Sequence, residues 1–323
     1  MQAVFLDYKT VDSGDLDLSP ISDLLPELIV YENTKNEEIA ERIKFAEIII
    51  INKIDLDASL LSKAQNAKLI CLVATGTNNV DLVSAKSLGI AVCNIKNYCT
   101  DSVVQHVFLS ILALQHSLLD YQISLDQGAW QNSALFSLLN HPIAELRAKK
   151  LGIVGFGVLG SGVAKMAENF GMKVLIAESL DKNRVQKNDT SHRINFNELV
   201  KESDFISLHC PLTDRTEKLF NQPVFAAMKN NAFLINTARG ALIEDEDLIL
   251  AIKNKEIAGA AIDVFDEEPP PLDHPLIRES FHNLIITPHI AWAAVEARQR
   301  ALECIAENID AFLKDKPINV VNA

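Results

Sequence analysis

The chain has 323 residues but only five cysteines, Cys71, Cys93, Cys99, Cys210 and Cys304, with no C-x-x-C pair among them. An odd, scattered set excludes a disulfide framework and a zinc knuckle; it suits a reducing cytoplasm, and no metal is expected. Positive charge is also scarce: 30 Lys and Arg face 43 Asp and Glu, a net charge of −13. Phosphate backbones need a clustered basic surface, so nucleic acid is excluded as the main partner. Long apolar runs are missing too. The best stretch, Val103 to Leu119, is interrupted by Gln105, His106, Ser110, Gln115, His116 and Ser117. A membrane span needs ~20 mostly apolar residues, so this stretch reads as a buried crossover helix and no membrane contact is expected. The N-terminus, MQAVFLDYKT, places Asp7 where a signal peptide needs an apolar core. No repeat or low-complexity segment is present.

What remains is an ordinary globular composition, 48 % hydrophobic and 23 % charged, long enough for two cores. Short apolar runs alternate with helical patterns. The expected strands are Val4–Leu6, Glu47–Ile51, Leu69–Ala74 and Ile90–Cys93, then Leu151–Val154, Lys173–Ile176, Phe205–Leu208, Phe233–Asn236, Gly259–Val264 and Leu284–Ile286. Uninterrupted Val/Ile/Leu runs mark strands buried on both faces, and alternation with helices marks parallel sheets joined by crossovers. The fold class is α/β, with two sets of strands separated by a long helix near residues 101–120. A last helix, Val295–Leu313, is free to return to the first set. Residues 1–99 with 291–323 then form one domain and residues 100–290 a second, inserted domain, with hinges near 100 and 290.

Gly155, Gly157 and Gly160 form G-x-G-x-x-G at the end of the strand Leu151–Val154, opening the helix Val158–Phe170. The first glycine allows the turn, the second lets backbone approach a pyrophosphate, and the third lets helix and strand pack closely. Alone, such a turn serves packing as readily as binding. The context points to a dinucleotide: Glu178, eighteen residues beyond Gly160, stands at the end of the next strand, where an acid binds the adenosine ribose. That carboxylate repels a 2′-phosphate, which favours NAD over NADP; Arg184, six residues further on, reads as a surface charge.

Three ionisable residues follow strands of the second set: Arg239 in Asn236-Thr-Ala-Arg-Gly240, Glu268 in the stretch Asp263 to Pro269, and His289 in Thr287 to Trp292. Ligands of open parallel sheets bind beyond the carboxyl ends of strands. Each residue has a plain alternative. Arg239 can pair with Glu244 or Asp245, Glu268 can be a solvated charge, and His289 can cap a turn. Together they suit acid/base chemistry on a carboxylate substrate: a carboxylate orients an imidazole, and a guanidinium clamps a carboxylate with two hydrogen bonds.

Four motifs in this order, GFGVLG at 155–160, NTARG at 236–240, DVFDEEPP at 263–270 and TPHIAW at 287–292, resemble the D-specific 2-hydroxyacid dehydrogenase family over nearly the whole chain. ATGTNNVD at 74–81, NYCTDSVVQH at 97–106 and HCPLTDRT at 209–216 are most similar to its glycerate dehydrogenase (hydroxypyruvate reductase) branch. The resemblance implies two Rossmann-like domains with parallel sheets, the dinucleotide-binding domain inserted into a flavodoxin-like substrate domain. It implies reduction of a small 2-keto acid with NADH, in which His289 is the general acid, Glu268 its partner and Arg239 the carboxylate clamp.

The cofactor would also meet Val158, Leu159, Cys210, Pro211, Thr216, Thr237, Ala238 and Asp263, the last holding the carboxamide. The substrate would meet Asn52, Thr75, Gly76 and Trp292. The apolar segment between Tyr121 and Lys150, with Trp130, Leu135, Phe136, Leu138 and Leu139, is implied to form a homodimer contact. D-lactate-type dehydrogenases and, in a different class, NADH-sensing corepressors similar to the family are the alternatives. Glu178 departs from the family's usual Asp, and the end at Ala323 counts against the long type of phosphoglycerate dehydrogenase.

Overall fold

The computed structural model describes residues 1–180, 192–279 and 281–323; Arg184 lies outside them. The chain divides into two compact units, Met1–Cys99 with Ala293–Ala323, and Thr100–Trp292. The second crossing falls after Trp292, two residues beyond the expected boundary at 290.

The first unit is built on β1 (Ala3–Phe5), β2 (Leu28–Val30), β3 (Ile48–Ile51), β4 (Leu69–Leu72) and β5 (Ala91–Cys93). They pair in parallel in the order β2-β1-β3-β4-β5, a flavodoxin-like order. Every residue of β3 is buried, as its four consecutive isoleucines require of a strand covered on both faces. Edge strand β2 was not among the expected strands, although Leu28-Ile29-Val30 is an apolar run; it is only three residues long, and Ile29 and Val30 are exposed. The helix Val295–Leu313 covers this sheet, burying Ala301, Leu302, Ile305 and Ile309 at its apolar spacing. Arg298 on the same face is also buried, its guanidinium held by both carboxylate oxygens of Asp15 at 2.8 and 2.7 Å.

The second unit carries β6 (Lys150–Val154), β7 (Lys173–Ala177), β8 (Arg193–Ile194), β9 (Phe205–Leu208), β10 (Phe233–Asn236), β11 (Gly259–Ile262) and β12 (Leu284–Ile286). Their order is β12-β11-β10-β9-β6-β7-β8, with all pairs parallel. That is the doubly wound dinucleotide-binding order, and the strand order reverses between β6 and β9. The long helix expected over 101–120 is two helices, Thr100–Gln115 and Leu118–Asp126, bent by 58°. Ser117 between them is left-handed (φ 49°), and its hydroxyl donates to the Pro142 carbonyl. Among the described residues no single helix is long and apolar enough to cross a membrane.

Candidate active site

The turn after β6 leaves the sheet at the reversal point. Gly155 adopts φ +97°, and a Cβ there would lie 2.4 Å from the Cys210 backbone nitrogen. A Cβ on Gly160 would lie 2.2 Å from the Gly155 carbonyl. These two glycines let β6, the loop after β9 and the helix Val158–Asn169 pack together. Gly157 differs: no heavy atom comes within 4 Å of its Cβ position, and both it and Val158 are exposed. The twelve-residue helix starting at Val158 opens beside this free space, and its first-turn N–H groups, those of Leu159 and Gly160 among them, have no partner within the helix, which is the arrangement that binds pyrophosphate. Glu178 is exposed just past β7, its N–H bonded to the Ile194 carbonyl.

Beyond β10, the buried side chain of Asn236 donates to the Arg239 carbonyl and accepts from the Ala238 N–H, shaping Thr237–Arg239 into a tight loop. Gly240 then has to be glycine, because a Cβ there would lie 2.0 Å from the backbone carbon of Phe265. The contact sets the Arg239 loop directly against the loop that carries Glu268. Arg239 is exposed, and one terminal nitrogen donates to the Ala238 carbonyl at 2.6 Å. Its plain alternative partners are taken: Glu244 pairs with Lys218 at 2.7 Å and Asp245 with His274 at 3.3 Å. The guanidinium therefore keeps donors for a ligand.

Glu268 and His289 meet. His289 Nδ1 is 2.6 Å from Glu268 Oε2, while Glu268 Oε1 accepts the Phe265 N–H at 3.0 Å. With both its oxygens engaged the carboxylate is fixed, and with Nδ1 engaged the imidazole leaves Nε2 for a reacting group. An oriented imidazole and a nearby guanidinium loop at the carboxyl ends of β10, β11 and β12 can bind a carboxylate and exchange a proton.

The NAD-binding domain of the D-isomer specific 2-hydroxyacid dehydrogenases matches residues 108–291. The chain belongs to this family. It is 38 % identical over its whole length to the glycerate dehydrogenase of Methylorubrum extorquens, covering 99 % of that protein. It is 37 % identical to the hydroxypyruvate reductase of Blautia hydrogenotrophica, with both chains covered in full. Among solved structures, a D-lactate dehydrogenase from Aquifex aeolicus complexed with NAD and lactic acid has a TM-score of 0.82 and 30 % identity, with 100 % of this chain and 99 % of that one covered. The protein is thus a D-2-hydroxyacid dehydrogenase with an NAD-binding Rossmann domain.

Several residues expected to contact ligands in this dehydrogenase have their polar groups committed to the protein. Asp263 is 1 % exposed; Oδ1 accepts from the Thr287 hydroxyl at 2.5 Å and the Ile290 N–H at 2.9 Å, and Oδ2 from the Ala291 N–H at 2.9 Å. These three bonds tie the carboxylate to the His289 loop and leave Oδ2 with one acceptor site beyond the Ala291 N–H. Thr216 is buried, and its hydroxyl closes the turn 211–216 by donating to the Pro211 carbonyl. Asn52 is buried too, its amide donating to the Thr10 hydroxyl.

The others stand differently. Thr237 keeps an enclosed hydroxyl with no partner among the described residues. Cys210 is buried, with its thiol pushed up to about 11 by desolvation, and Pro211 is exposed. Trp292 donates its indole N–H to the His289 carbonyl, so it braces the His289 loop. In the first unit, the Thr75 hydroxyl donates to the Ile95 carbonyl, beside the half-buried Gly76.

Sequence reading missed two polar groups that hold loops in place. Asp7, at the end of β1, accepts the N–H groups of Asn52, Lys53 and Ile54 and so pins that loop. Burial raises its pKa, and those hydrogen bonds oppose the rise. Arg193 donates to the Ala177 carbonyl and lies over the Phe156 ring, 5.8 Å from its centroid. Neither sits in a motif; only strand adjacency brings each to its place.

Proposed function

We propose that this dehydrogenase reduces a small 2-keto acid to the D-2-hydroxy acid, with hydroxypyruvate or glyoxylate as substrate and D-glycerate or glycolate as product. The observation that carries the reading is the 2.6 Å pair between His289 and Glu268 at the strand ends of an NAD-binding unit. The full-length relatives named glycerate dehydrogenase and hydroxypyruvate reductase support the substrate.

Bound nicotinamide supplies a hydride to the keto carbon. His289 holds a proton on Nε2 and gives it to the ketone oxygen, and Glu268 stabilises the charge and fixes the ring. Arg239 grips the substrate carboxylate and polarises the carbonyl as negative charge develops on its oxygen. Thr75, Gly76, Asn52 and Trp292 are proposed as further substrate contacts.

NADH is the proposed reductant in preference to NADPH, because exposed Glu178 repels a 2′-phosphate. The segment around Phe136, Leu139 and Leu135, exposed by 91, 85 and 70 %, supports a homodimer that covers it. Five free cysteines, three of them buried, support a cytoplasmic location.

The test is oxidation of NADH and NADPH with hydroxypyruvate, glyoxylate, pyruvate and 3-phosphohydroxypyruvate. Highest kcat/KM with hydroxypyruvate or glyoxylate and NADH is expected. Preference for pyruvate would move the assignment to the D-lactate type, and NADH binding without turnover of any of them would overturn it in favour of a sensor.

A further inference from the structure

The mechanism gives no role to His106, a histidine on the helix Thr100–Gln115 that lies far from His289 in sequence. Its side chain is 10 % exposed. Nε2 lies 3.1 Å from the Thr287 hydroxyl and 3.7 Å from Asp263 Oδ1. Proton counting fixes the direction of these bonds. The Thr287 hydroxyl has one proton and gives it to the Asp263 carboxylate at 2.5 Å, so the proton in the His106–Thr287 contact belongs to His106 Nε2. The chain runs one way, from the His106 N–H to the Thr287 hydroxyl to the Asp263 carboxylate.

That chain ends on the backbone of the catalytic loop. His289 is left-handed, with φ 55°, a conformation a non-glycine residue keeps only when its surroundings impose it. The Asp263 carbonyl accepts the His289 N–H at 2.8 Å, and the Asp263 carboxylate accepts the N–H groups of Ile290 and Ala291. From the same helix as His106, Ser102 donates to the Ala291 carbonyl at 2.7 Å. The loop is held from β11 on one side and from this helix on the other.

We propose that His106 is a positioning residue for His289, acting through Thr287 and Asp263 to hold the acid's backbone in its left-handed conformation. The proposal rests on the assignment of His289 as the general acid. It makes one hydrogen-bond donor on a core helix a determinant of kcat. A misplacement of about 1 Å at a reacting group costs on the order of 100-fold in rate, so partial loosening of the loop is expected to cost about 10-fold or more.

The experiment uses the full-length enzyme, NADH and whichever 2-keto acid turns over best. His106→Leu, which removes the donor, should lower kcat about 10-fold or more, with the NADH Kd from fluorescence titration unchanged. His106→Gln, which restores a donor at a comparable reach, should recover most of kcat. Thr287→Ser should behave like wild type and Thr287→Val like His106→Leu, which provides a second route should one variant fail to fold. In a His289→Ala background, adding His106→Leu should cause no further loss, since groups that act as a unit are not additive. Wild-type kcat in both His106→Leu and Thr287→Val, a loss expressed only in the NADH Kd, or full additivity with His289→Ala would overturn the proposal. Wild-type kcat in His289→Ala alone would instead overturn the reading on which it rests.

Discussion

Glu268 and His289 form a pair whose carboxylate is held at both ends, Oε2 by the imidazole at 2.6 Å and Oε1 by the Phe265 N–H at 3.0 Å. The second bond is what makes the first useful. A carboxylate free to rotate would orient the ring poorly, whereas one tied to the backbone of its own loop transmits the position of β11 to the imidazole.

Removing either member should therefore have different consequences. His289→Ala loses the proton donor, and turnover is expected to fall by about 100- to 10,000-fold, the usual worth of positioned acid–base catalysis. Glu268→Gln keeps a hydrogen bond but loses the charge, and a smaller loss of kcat is expected. Steady-state kinetics with NADH affinity measured in parallel checks both. Equal, near-wild-type kcat values would refute the assigned roles.

Arg239→Lys should raise KM for the keto acid more than it lowers NADH affinity. A lysine carries the charge but not the planar fork that meets both carboxylate oxygens. The free donors of Arg239, with Glu244 and Asp245 paired elsewhere, are the structural reason. Substrate saturation curves for the variant decide it, and an unchanged KM contradicts the clamp.

Gly240→Ala should damage stability and catalysis together. Its Cβ would overlap the Phe265 backbone at 2.0 Å, and no side-chain rotation relieves a clash with main chain. Overpacking costs about 1–3 kcal/mol, and relief by moving the Phe265 loop would displace Glu268. A denaturant midpoint shift accompanied by lower kcat is expected. Loss of stability with intact kcat would mean that the two loops are not coupled.

Acid should weaken the fold in two separate windows. Burial lowers His209 from 6.5 to about 4. Its native pKa lies below the unfolded one, so the unfolded state binds the extra proton, and stability is full above pH 6.5 and falls down to about 4. The Arg298 guanidinium holds the Asp15 carboxyl below its ordinary value of 3.8, so that contribution is present above this value and is lost only as pH falls below it. Thermal unfolding across pH should show His209→Asn flattening the first window and Asp15→Asn only the second. Identical profiles for wild type and His209→Asn would contradict the buried neutral imidazole.

Much of the fold was legible because its signals are local. Phe205–Leu208, Phe233–Asn236 and Leu284–Ile286 are strands with the bounds expected of them, and the helix Val295–Leu313 likewise, since their burial follows the periodicity of adjacent residues. β2 and β8 were missed because they are short: β2 is the three-residue apolar run Leu28-Ile29-Val30 and β8 has two residues. The break at Ser117 was not read from the sequence: it is left-handed, and its hydroxyl donates to the carbonyl of Pro142, twenty-five residues away.

The amino-acid sequence by itself determined the α/β class, the glycine turn after β6, and the presence of Arg239, Glu268 and His289 just beyond strand ends. Those features depend on side-chain type and on spacing along the chain. Only the tertiary structure decided which polar groups stay available to ligands. The Thr216 hydroxyl closes its own turn and the Asp263 carboxylate holds the His289 loop, while Arg239 keeps donors. His106 reaches the catalytic loop across 181 residues of sequence. A buried polar group must be paired wherever a partner comes within reach, and that reach is set by how strands and helices pack.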